Sequence, residues 1–261
     1  MNKKFLELAK KSKVIVIKVG SNILVNEKHV LRRKWLNSLI EDVKELQKRG
    51  SRIVIVSSGA IALGRNILSK KKLTNLHEKQ AAASIGQIQL SQQWQKAFAK
   101  LNIQSSQILI TAEDLNERRK YLNIRNTIYS LMDLNVVPII NENDTTSTEE
   151  IRFGDNDKLS AMIANALSAE LLILLSDVNG LYTANPKKSL QAKLITSVEE
   201  VDQQIEKYID KDLSEFGSGG MLAKINAAKL CIQSGSTMII SNGLVNNPLS
   251  KICLLYTSDA A

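Results

Sequence analysis

The sequence predicts an α/β protein, a three-layer α/β/α sandwich with a mainly parallel central sheet. Six short apolar runs alternate with stretches whose apolar residues recur at the helical period, and this alternation is typical of parallel sheets. Most runs are continuously apolar, as expected for strands that helices cover on both faces. The runs cover residues 14–21, 52–60, 106–111, 136–144, 171–180 and 237–243.

Four helical stretches separate the runs. In residues 29–50, Trp35, Leu39 and Val43 lie on one apolar stripe, and Gly50 suits the end of the helix. The other three helical stretches are residues 76–102, 117–135 and 157–170. No internal repeat, low-complexity segment or Pro/Gly-rich linker interrupts the pattern, so residues 1–261 are predicted to form a single domain.

Composition excludes several classes of protein. The net charge is +9, but the basic residues are spread over the helical stretches and aromatic residues make up only 4%, so a nucleic-acid partner is not predicted. No apolar run approaches the roughly 20 residues that span a bilayer. Cys231 and Cys253 form no CxxC pair, so neither a disulfide framework nor a zinc site is expected. We expect a cytoplasmic protein.

Small, polar and acidic residues follow the ends of the predicted strands. These ends are residues 18–21 (KVGS), 57–60 (SSGA), 141–144 (NEND), 176–180 (SDVNG) and 241–243 (SNG). Ligands of parallel sheets bind beyond the carboxyl ends of the strands. The sequence therefore predicts a binding site at this edge.

Two lysines are candidates for anion contacts, and each has an alternative interpretation. Lys18 lies inside an apolar strand, where it either reaches a phosphate at the strand end or belongs to an edge strand and extends to solvent. Lys224 follows the glycine-rich stretch 216–220 early in a helix, where a cation opposes the helix dipole unless an anion lies between them. The alternative is a surface loop beside a solvated lysine.

Serine-glycine and acidic segments complete the candidate site. Residues 57–64 form either an anion-binding helix start or a simple tight turn. The acidic clusters 141–144 and 155–157 can receive an amino group, orient lysines or hold Mg²⁺ through water, or they can cap helices. His29 and His77 are predicted to lie in helical stretches away from this edge. Lysines, glycine turns and acids without a catalytic histidine suit phosphoryl transfer.

Five segments resemble, in order and spacing, the glutamate 5-kinases of the amino acid kinase superfamily. They are residues 18–21, 57–62, 140–144, 153–161 and 217–224. The resemblance covers about residues 12–245 and implies the amino acid kinase fold. It also implies a transferase that uses ATP to phosphorylate the side-chain carboxylate of L-glutamate. The products would be L-glutamyl 5-phosphate and ADP, in the first step of proline biosynthesis.

The resemblance implies roles for single residues. The catalytic residues would be Lys18 and Lys224, which contact the ATP phosphates, and Asp157, which holds both lysines. The residues that bind glutamate would be Ser58, Asp144 and Asn156. The residues that bind ATP would be Lys18, Ser176, Asp177, Ser218, Gly219, Gly220, Met221, Leu222, Ala223 and Lys224. Mg²⁺ would be held mainly by the ATP phosphates and water, with no protein ligand.

The resemblance further implies feedback inhibition by proline, a homo-oligomer, and a product that passes to glutamyl phosphate reductase. This chain departs from the family at Asn185, where an aspartate is usual, and after about residue 245. We expect no PUA domain and a C-terminal stretch that is truncated or not native.

Two other hypotheses about the function stay open. One is a related kinase acting on acetylglutamate, aspartate, carbamate or UMP, and the other is a regulatory protein that senses glutamate, proline or nucleic acid.

Overall fold

The computed structural model describes residues 7, 10–69, 72–147, 155–184, 189–203, 205 and 219–253. Its strands are β1 (Val14–Val19), β2 (Arg52–Ser57), β3 (Gln104–Ile110), β4 (Val136–Glu142), β5 (Leu171–Ser176), β6 (Leu181–Tyr182), β7 (Leu194–Ile195) and β8 (Thr237–Asn242). Its helices are α1 (Ser21–Leu24), α2 (Arg33–Lys48), α3 (Ala60–Ile67), α4 (Leu76–Ala99), α5 (Ala112–Asn116), α6 (Arg118–Asp133), α7 (Asp155–Ala166), α8 (Gly219–Gln233) and α9 (Pro248–Cys253).

Six strands form one parallel sheet in the order β3-β4-β2-β1-β5-β8. Five of the six apolar runs contain one of these strands, and β3 begins two residues before its run at 106–111, so the predicted sheet is confirmed. The central strand β1 places Lys18 beside Val56 of β2 and Leu174 of β5. Strands β6 and β7 form a separate antiparallel pair.

The core lies on both faces of the sheet, which explains why the strands are continuously apolar. On the first face, alternate strand residues such as Ile15 and Ile17 pack against α2 and α4, and on the second face Val14 and Val16 pack against α6, α7 and α8. Side chains alternate between faces along a strand. Lys18 therefore faces the second face of the sheet, which α6, α7 and α8 cover.

Helices α3 and α4 approach each other unusually closely, and two glycines make this possible. A Cβ on Gly64 would lie 1.7 Å from the Ala82 carbonyl oxygen, and one on Gly86 would lie 1.9 Å from the Ala60 carbonyl oxygen. Because Ala60 is the first residue of α3, directly after Ser58 and Gly59, this contact fixes α4 against the start of α3.

Helix boundaries differ from the sequence-based expectations at two places. Asn156 and Asp157 lie within the first turn of α7, so they do not precede the helix as caps. His29 was expected in a helical stretch, and this is wrong. It lies in a turn with φ of 57°, where its amide donates to the Asn26 carbonyl, and α2 begins only at Arg33.

The last described segment packs against α2. Asp42 of α2 accepts hydrogen bonds from the backbone amides of Leu249 (2.8 Å) and Ser250 (3.1 Å), and Leu249 and Ile252 are buried in the first-face core. The expected departure after residue 245 thus includes a stretch joined to the domain core. Within the described residues, no helix is both long enough and apolar enough to cross a membrane.

Candidate active site

Two lysines from distant parts of the chain contact one aspartate at the carboxyl edge of the sheet. The distance from Lys18 Nζ to Asp157 Oδ1 is 2.6 Å, and Lys224 Nζ donates a hydrogen bond to Asp157 Oδ2 at 3.0 Å. Asp157 is fully buried and the two lysines are nearly so. The structure brings together the three residues that the sequence proposed as catalytic, which we call the lysine-aspartate trio.

The trio has more positive than negative groups, since two ammonium groups share one carboxylate. Burial lowers the pKa of Lys18 below its ordinary value of 10.5, and the neighbouring Asp157 opposes this shift. An isolated buried charge is strongly unfavourable, and pairing with an opposite charge relieves the cost. The surplus positive charge is therefore suited to an anion such as a phosphate group.

Beside the trio lies a neutral cluster of hydrogen-bonding side chains. Asn156 Nδ2 donates to Ser58 Oγ (2.8 Å) and to Asn141 Oδ1 (3.2 Å), and Asn141 Nδ2 donates to Gln87 Oε1 (2.7 Å). Asn156 Oδ1 is buried and accepts no hydrogen bond from any described residue. A buried amide oxygen without a donor is rare in folded proteins. It is suited to a donor on a bound ligand.

Asp144 lies two residues beyond β4, at the wall of a groove of about 280 Å³. Helix α4 contributes Gln87 and Ile88 to this groove, and Leu109 of β3 lines its other side. Gln87 both lines the groove and contacts Asn141, so the groove adjoins the neutral cluster. Asp144 therefore lines a groove that adjoins the cluster of Ser58 and Asn156 through Gln87.

On the other side of the trio, Ser176 is the last residue of β5 and Asp177 follows it. Asp177 Oδ2 accepts from Asn22 Nδ2 and Asp177 Oδ1 from Ser176 Oγ, each at 3.3 Å. Burial by itself would raise the pKa of Asp177, but these hydrogen bonds, its backbone and Lys224 outweigh it, so the pKa is lowered. Asp177 therefore stays ionised near the two lysines.

The glycine-rich segment is only partly described. Ser218 lies outside the described residues, whereas Gly219 and Gly220 begin α8. Met221 packs against a small cluster formed by Leu181 and Ile225. Leu222 is more than a third exposed and Ala223 is half-buried, while Lys224 points to Asp157.

Sequence reasoning missed four polar residues around the site. Asn141 lies in the segment 141–144 at the end of a predicted strand, and Asn22 is the residue after the segment 18–21. Gln87 and Trp94 lie in an ordinary helical stretch, and nothing in the sequence separates them from core or surface positions. Trp94 Nε1 donates to the buried Ser57 Oγ at 2.9 Å.

Comparisons with known proteins show the family of this chain. A family model described as "Amino acid kinase family" matches residues 13–242. The chain is 51% identical over 244 residues to the glutamate 5-kinase of Pelagibacter ubique (strain HTCC1062), covering 93% of this chain and 66% of that protein. It is 49% identical over 239 residues to the glutamate 5-kinase of Brucella abortus (strain S19), covering 91% and 63%. The chain thus spans just under two thirds of the length of these curated relatives.

Among solved structures, the fold is similar to that of carbamate kinase from Giardia lamblia bound to AMP-PNP. The TM-score is 0.62 at 17% sequence identity, and the match covers 94% of this chain and 97% of that chain. A likeness at this identity shows the fold alone, which is the predicted α/β/α sandwich with a parallel central sheet.

Proposed function

The chain belongs to the amino acid kinase family, and from this membership we propose that it transfers the γ-phosphoryl group of ATP to the side-chain carboxylate of L-glutamate. The products are L-glutamyl 5-phosphate and ADP, as in the first step of proline biosynthesis. The observation that carries this proposal is the lysine-aspartate trio beside a neutral cluster. The glutamate 5-kinase relatives support the choice of substrate.

Lys18 and Lys224 stabilise the negative charge of the phosphoryl group during transfer. Phosphoryl transfer depends mainly on positioning and on charge stabilisation, and two fixed ammonium groups supply both. Asp157 holds the two ammonium groups in place, because its carboxylate contacts both and offsets their mutual repulsion. The surplus positive charge of the trio fits an ATP phosphate, with Ser176, Asp177 and the start of α8 around the nucleotide.

Mg²⁺ would neutralise charge on the phosphates when ATP is bound. Across the described stretches of chain, no group of three or more His, Cys, Asp or Glu side chains is placed to hold a metal ion. As the family resemblance implies, we propose that Mg²⁺ is held mainly by the phosphates and water.

The acceptor carboxylate needs no general base. Its unperturbed pKa is about 4.3, so it is ionised at neutral pH. One of its oxygens forms a bond to the γ-phosphorus while the bond from that phosphorus to the β–γ bridging oxygen breaks, and the electron pair leaves with ADP. We assign the substrate ammonium group to Asp144 and to the buried Asn156 Oδ1, which accepts no hydrogen bond from any residue that the structure describes. Ser58 completes this subsite.

The test is to trap the product chemically. Purified protein is incubated with ATP, Mg²⁺ and L-glutamate in hydroxylamine, which converts an acyl phosphate to a hydroxamate. We expect hydroxamate and ADP in equal amounts. Folded protein that forms neither product would contradict the proposal. ADP formation is measured in parallel with acetylglutamate, aspartate, carbamate and UMP as acceptors. Turnover with one of these acceptors and not with glutamate would assign the chain to a related kinase activity.

We also propose the finer properties that the family resemblance implies: a cytoplasmic homo-oligomer that proline inhibits and whose product passes to glutamyl phosphate reductase. Proline has an amino group and a carboxylate, so it would compete for the glutamate subsite. Titrating proline into the hydroxamate assay at several glutamate concentrations tests this directly. Competitive inhibition is expected, and no inhibition would contradict it.

A further inference from the structure

Helix α4 contacts two residues that adjoin the proposed glutamate subsite, Asn141 and Ser57, although no residue of α4 was assigned a role there. Gln87 accepts from Asn141 Nδ2 at 2.7 Å. Two turns further along the helix, Trp94 Nε1 donates to Ser57 Oγ at 2.9 Å, and Ser57 Oγ donates to the Ser58 carbonyl at 3.3 Å. Together with the Asn156–Ser58 hydrogen bond, these contacts form a closed ring that begins and ends on α4.

We propose that Gln87 and Trp94 are positioning residues for the glutamate subsite, which they align through Asn141, Asn156 and Ser57. The inference rests on the proposed function, because it concerns how the glutamate-binding pair Ser58–Asn156 is oriented. We call Gln87 and Trp94 the α4 brace.

Gln87 forms one arm of the brace, which we call the amide arm. It determines which end of each neighbouring amide side chain donates a hydrogen bond. Gln87 Nε2 donates to Ser91 Oγ at 3.4 Å, so Gln87 Oε1 remains free to accept from Asn141 Nδ2. Asn141 must then use Oδ1 to accept from Asn156 Nδ2. An amide has one accepting end and one donating end, so each amide orients the next.

This direction determines what Asn156 presents to a ligand. Because Asn156 Nδ2 is occupied by Ser58 and Asn141, its oxygen is the end that is left. An acceptor at this place favours a ligand that donates, such as a free ammonium group. Reversing the chain of amides would present an N–H group instead and would disfavour the same ligand.

Trp94 forms the other arm of the brace, which we call the tryptophan arm. It holds the backbone of Ser57 and Ser58 in place beside the ligand. An indole has a single N–H donor and no acceptor, so Trp94 can only donate to Ser57, whose hydroxyl hydrogen is then directed to the Ser58 carbonyl. Trp94 and Ser57 are fully buried and Ser58 nearly so. The Gly86–Ala60 contact holds α4 at the distance that both arms need.

Kinetics of Gln87 variants test the amide arm. Gln87→Leu removes the acceptor and should raise the KM for glutamate by about three- to tenfold, the loss expected for one hydrogen bond, while the KM for ATP changes less than twofold. Gln87→Glu keeps an accepting oxygen and should restore a KM near that of the parent. Gln89→Leu is the matched control on the same helix, since Gln89 Oε1 is buried without a partner in the described part of the chain.

The positioning role would be overturned if Gln87→Leu lost stability but kept the KM for glutamate of the parent. It would also be overturned if the KM for glutamate and the KM for ATP rose equally. Failure of Gln87→Glu to restore the KM would overturn it as well.

A second measurement needs no catalysis. The chain has two tryptophans, so ¹⁵N labelling gives two indole signals, and Trp35, which donates to backbone carbonyls far from this ring, serves as the internal control. Asn156→Ala releases the Ser58 hydroxyl and should shift the Trp94 indole signal more than the Trp35 signal. Equal or absent shifts would overturn the ring. If the parent protein forms no hydroxamate while the Trp94 signal shifts as expected, the proposed function fails and the brace stands.

Discussion

Two neighbouring residues of α7 support two different halves of the site. Asp157 anchors a charged half, with two ammonium groups at 2.6 and 3.0 Å. Asn156 anchors a neutral half, with hydrogen bonds to Ser58 and Asn141. The first turn of one helix thus divides the sheet edge into a side suited to phosphate and a side suited to the acceptor.

The difference between the halves agrees with the proposed reaction. A phosphoryl group gathers negative charge, which fixed cations stabilise. An acceptor carboxylate that was ion-paired with a lysine would be a weaker nucleophile, whereas neutral amides and hydroxyls can hold the rest of the substrate without binding the reacting oxygens. Breaking a buried ion pair costs about 3–5 kcal/mol, against about 1 kcal/mol for a neutral hydrogen bond. Changes on the charged side should therefore have the larger effects.

The strongest test of this division is Asp157→Asn. The change leaves two buried ammonium groups close together without a carboxylate between them. Breaking a buried ion pair costs about 3–5 kcal/mol, so we expect a marked fall in the melting temperature and a loss of hydroxamate formation of about a thousandfold or more.

The matched control is Asp133→Asn, which removes an exposed ion pair with Arg52. Exposed pairs contribute about 0–1 kcal/mol, so activity and melting temperature should hardly change. Activity of Asp157→Asn within tenfold of the parent would show that the charged half is not needed for transfer.

On the side of the acceptor, the largest effect is expected from Asp144→Ala. Loss of a charged hydrogen-bond partner costs about 1.5–3 kcal/mol, so the KM for glutamate should rise by about 10- to 100-fold while the KM for ATP stays within about threefold. Thr145→Ala, at the next residue of the same groove, is the control and should leave both values unchanged. Equal increases in both KM values would remove Asp144 from the acceptor side.

The charged half could be anticipated from the sequence in two steps, first from the strand pattern around Lys18 and then from the family resemblance, which implied that Asp157 holds Lys18 and Lys224. Side chains alternate along a strand, so a lysine in a central strand faces one covering layer and needs a partner there. Lys18 follows Val16 on the second face, where α7 and α8 supply Asp157 and Lys224. The order of the glycine, acidic and lysine segments was then enough to identify the family.

The support for the neutral half could not be anticipated, because it depends on how one helix packs against another. Gln87 and Trp94 become significant only when Gly64 and Gly86 allow α3 and α4 to touch. The misplaced His29 has a different and local cause. The Asn26 side chain accepts from the amides of Lys28 and Val30, and this turn prevails over the helical pattern that follows it.

The pH dependence should separate the halves further. Burial lowers the pKa of Lys18 below 10.5, and the role that we propose for Lys18 in phosphoryl transfer requires the protonated amine. At saturating glutamate, kcat/KM for ATP should therefore fall as the pH rises through the lowered pKa, before a free lysine would deprotonate. Stability should respond in the opposite direction. Between the lowered pKa and 10.5 the unfolded chain binds more protons than the folded one, so this group's contribution to stability rises with pH.

The measurement is a pH profile of activity together with thermal unfolding at each pH. Lys18→Arg provides the comparison, because arginine stays protonated throughout this range. Its activity, although lower, should lack the fall at alkaline pH. An unchanged alkaline fall in Lys18→Arg would assign that titration to another group.

The smallest expected effect lies in a third region, which serves neither half. Asp42 of α2 accepts from the first backbone amides of α9 and so satisfies donors that a helix start leaves open. Asp42→Asn removes the charge and turns one accepting oxygen into a donor, at a cost of about 1 kcal/mol. For a domain of this size, the melting temperature should fall by about 2–4 °C.

Both KM values should stay unchanged, because the contact lies in the first-face core rather than at the carboxyl edge of the sheet. Glu45→Gln, on the exposed side of the same helix, should have a still smaller effect. A shift in either KM for Asp42→Asn would mean that the segment after β8 influences the site, and the division into two halves would then need a third contributor.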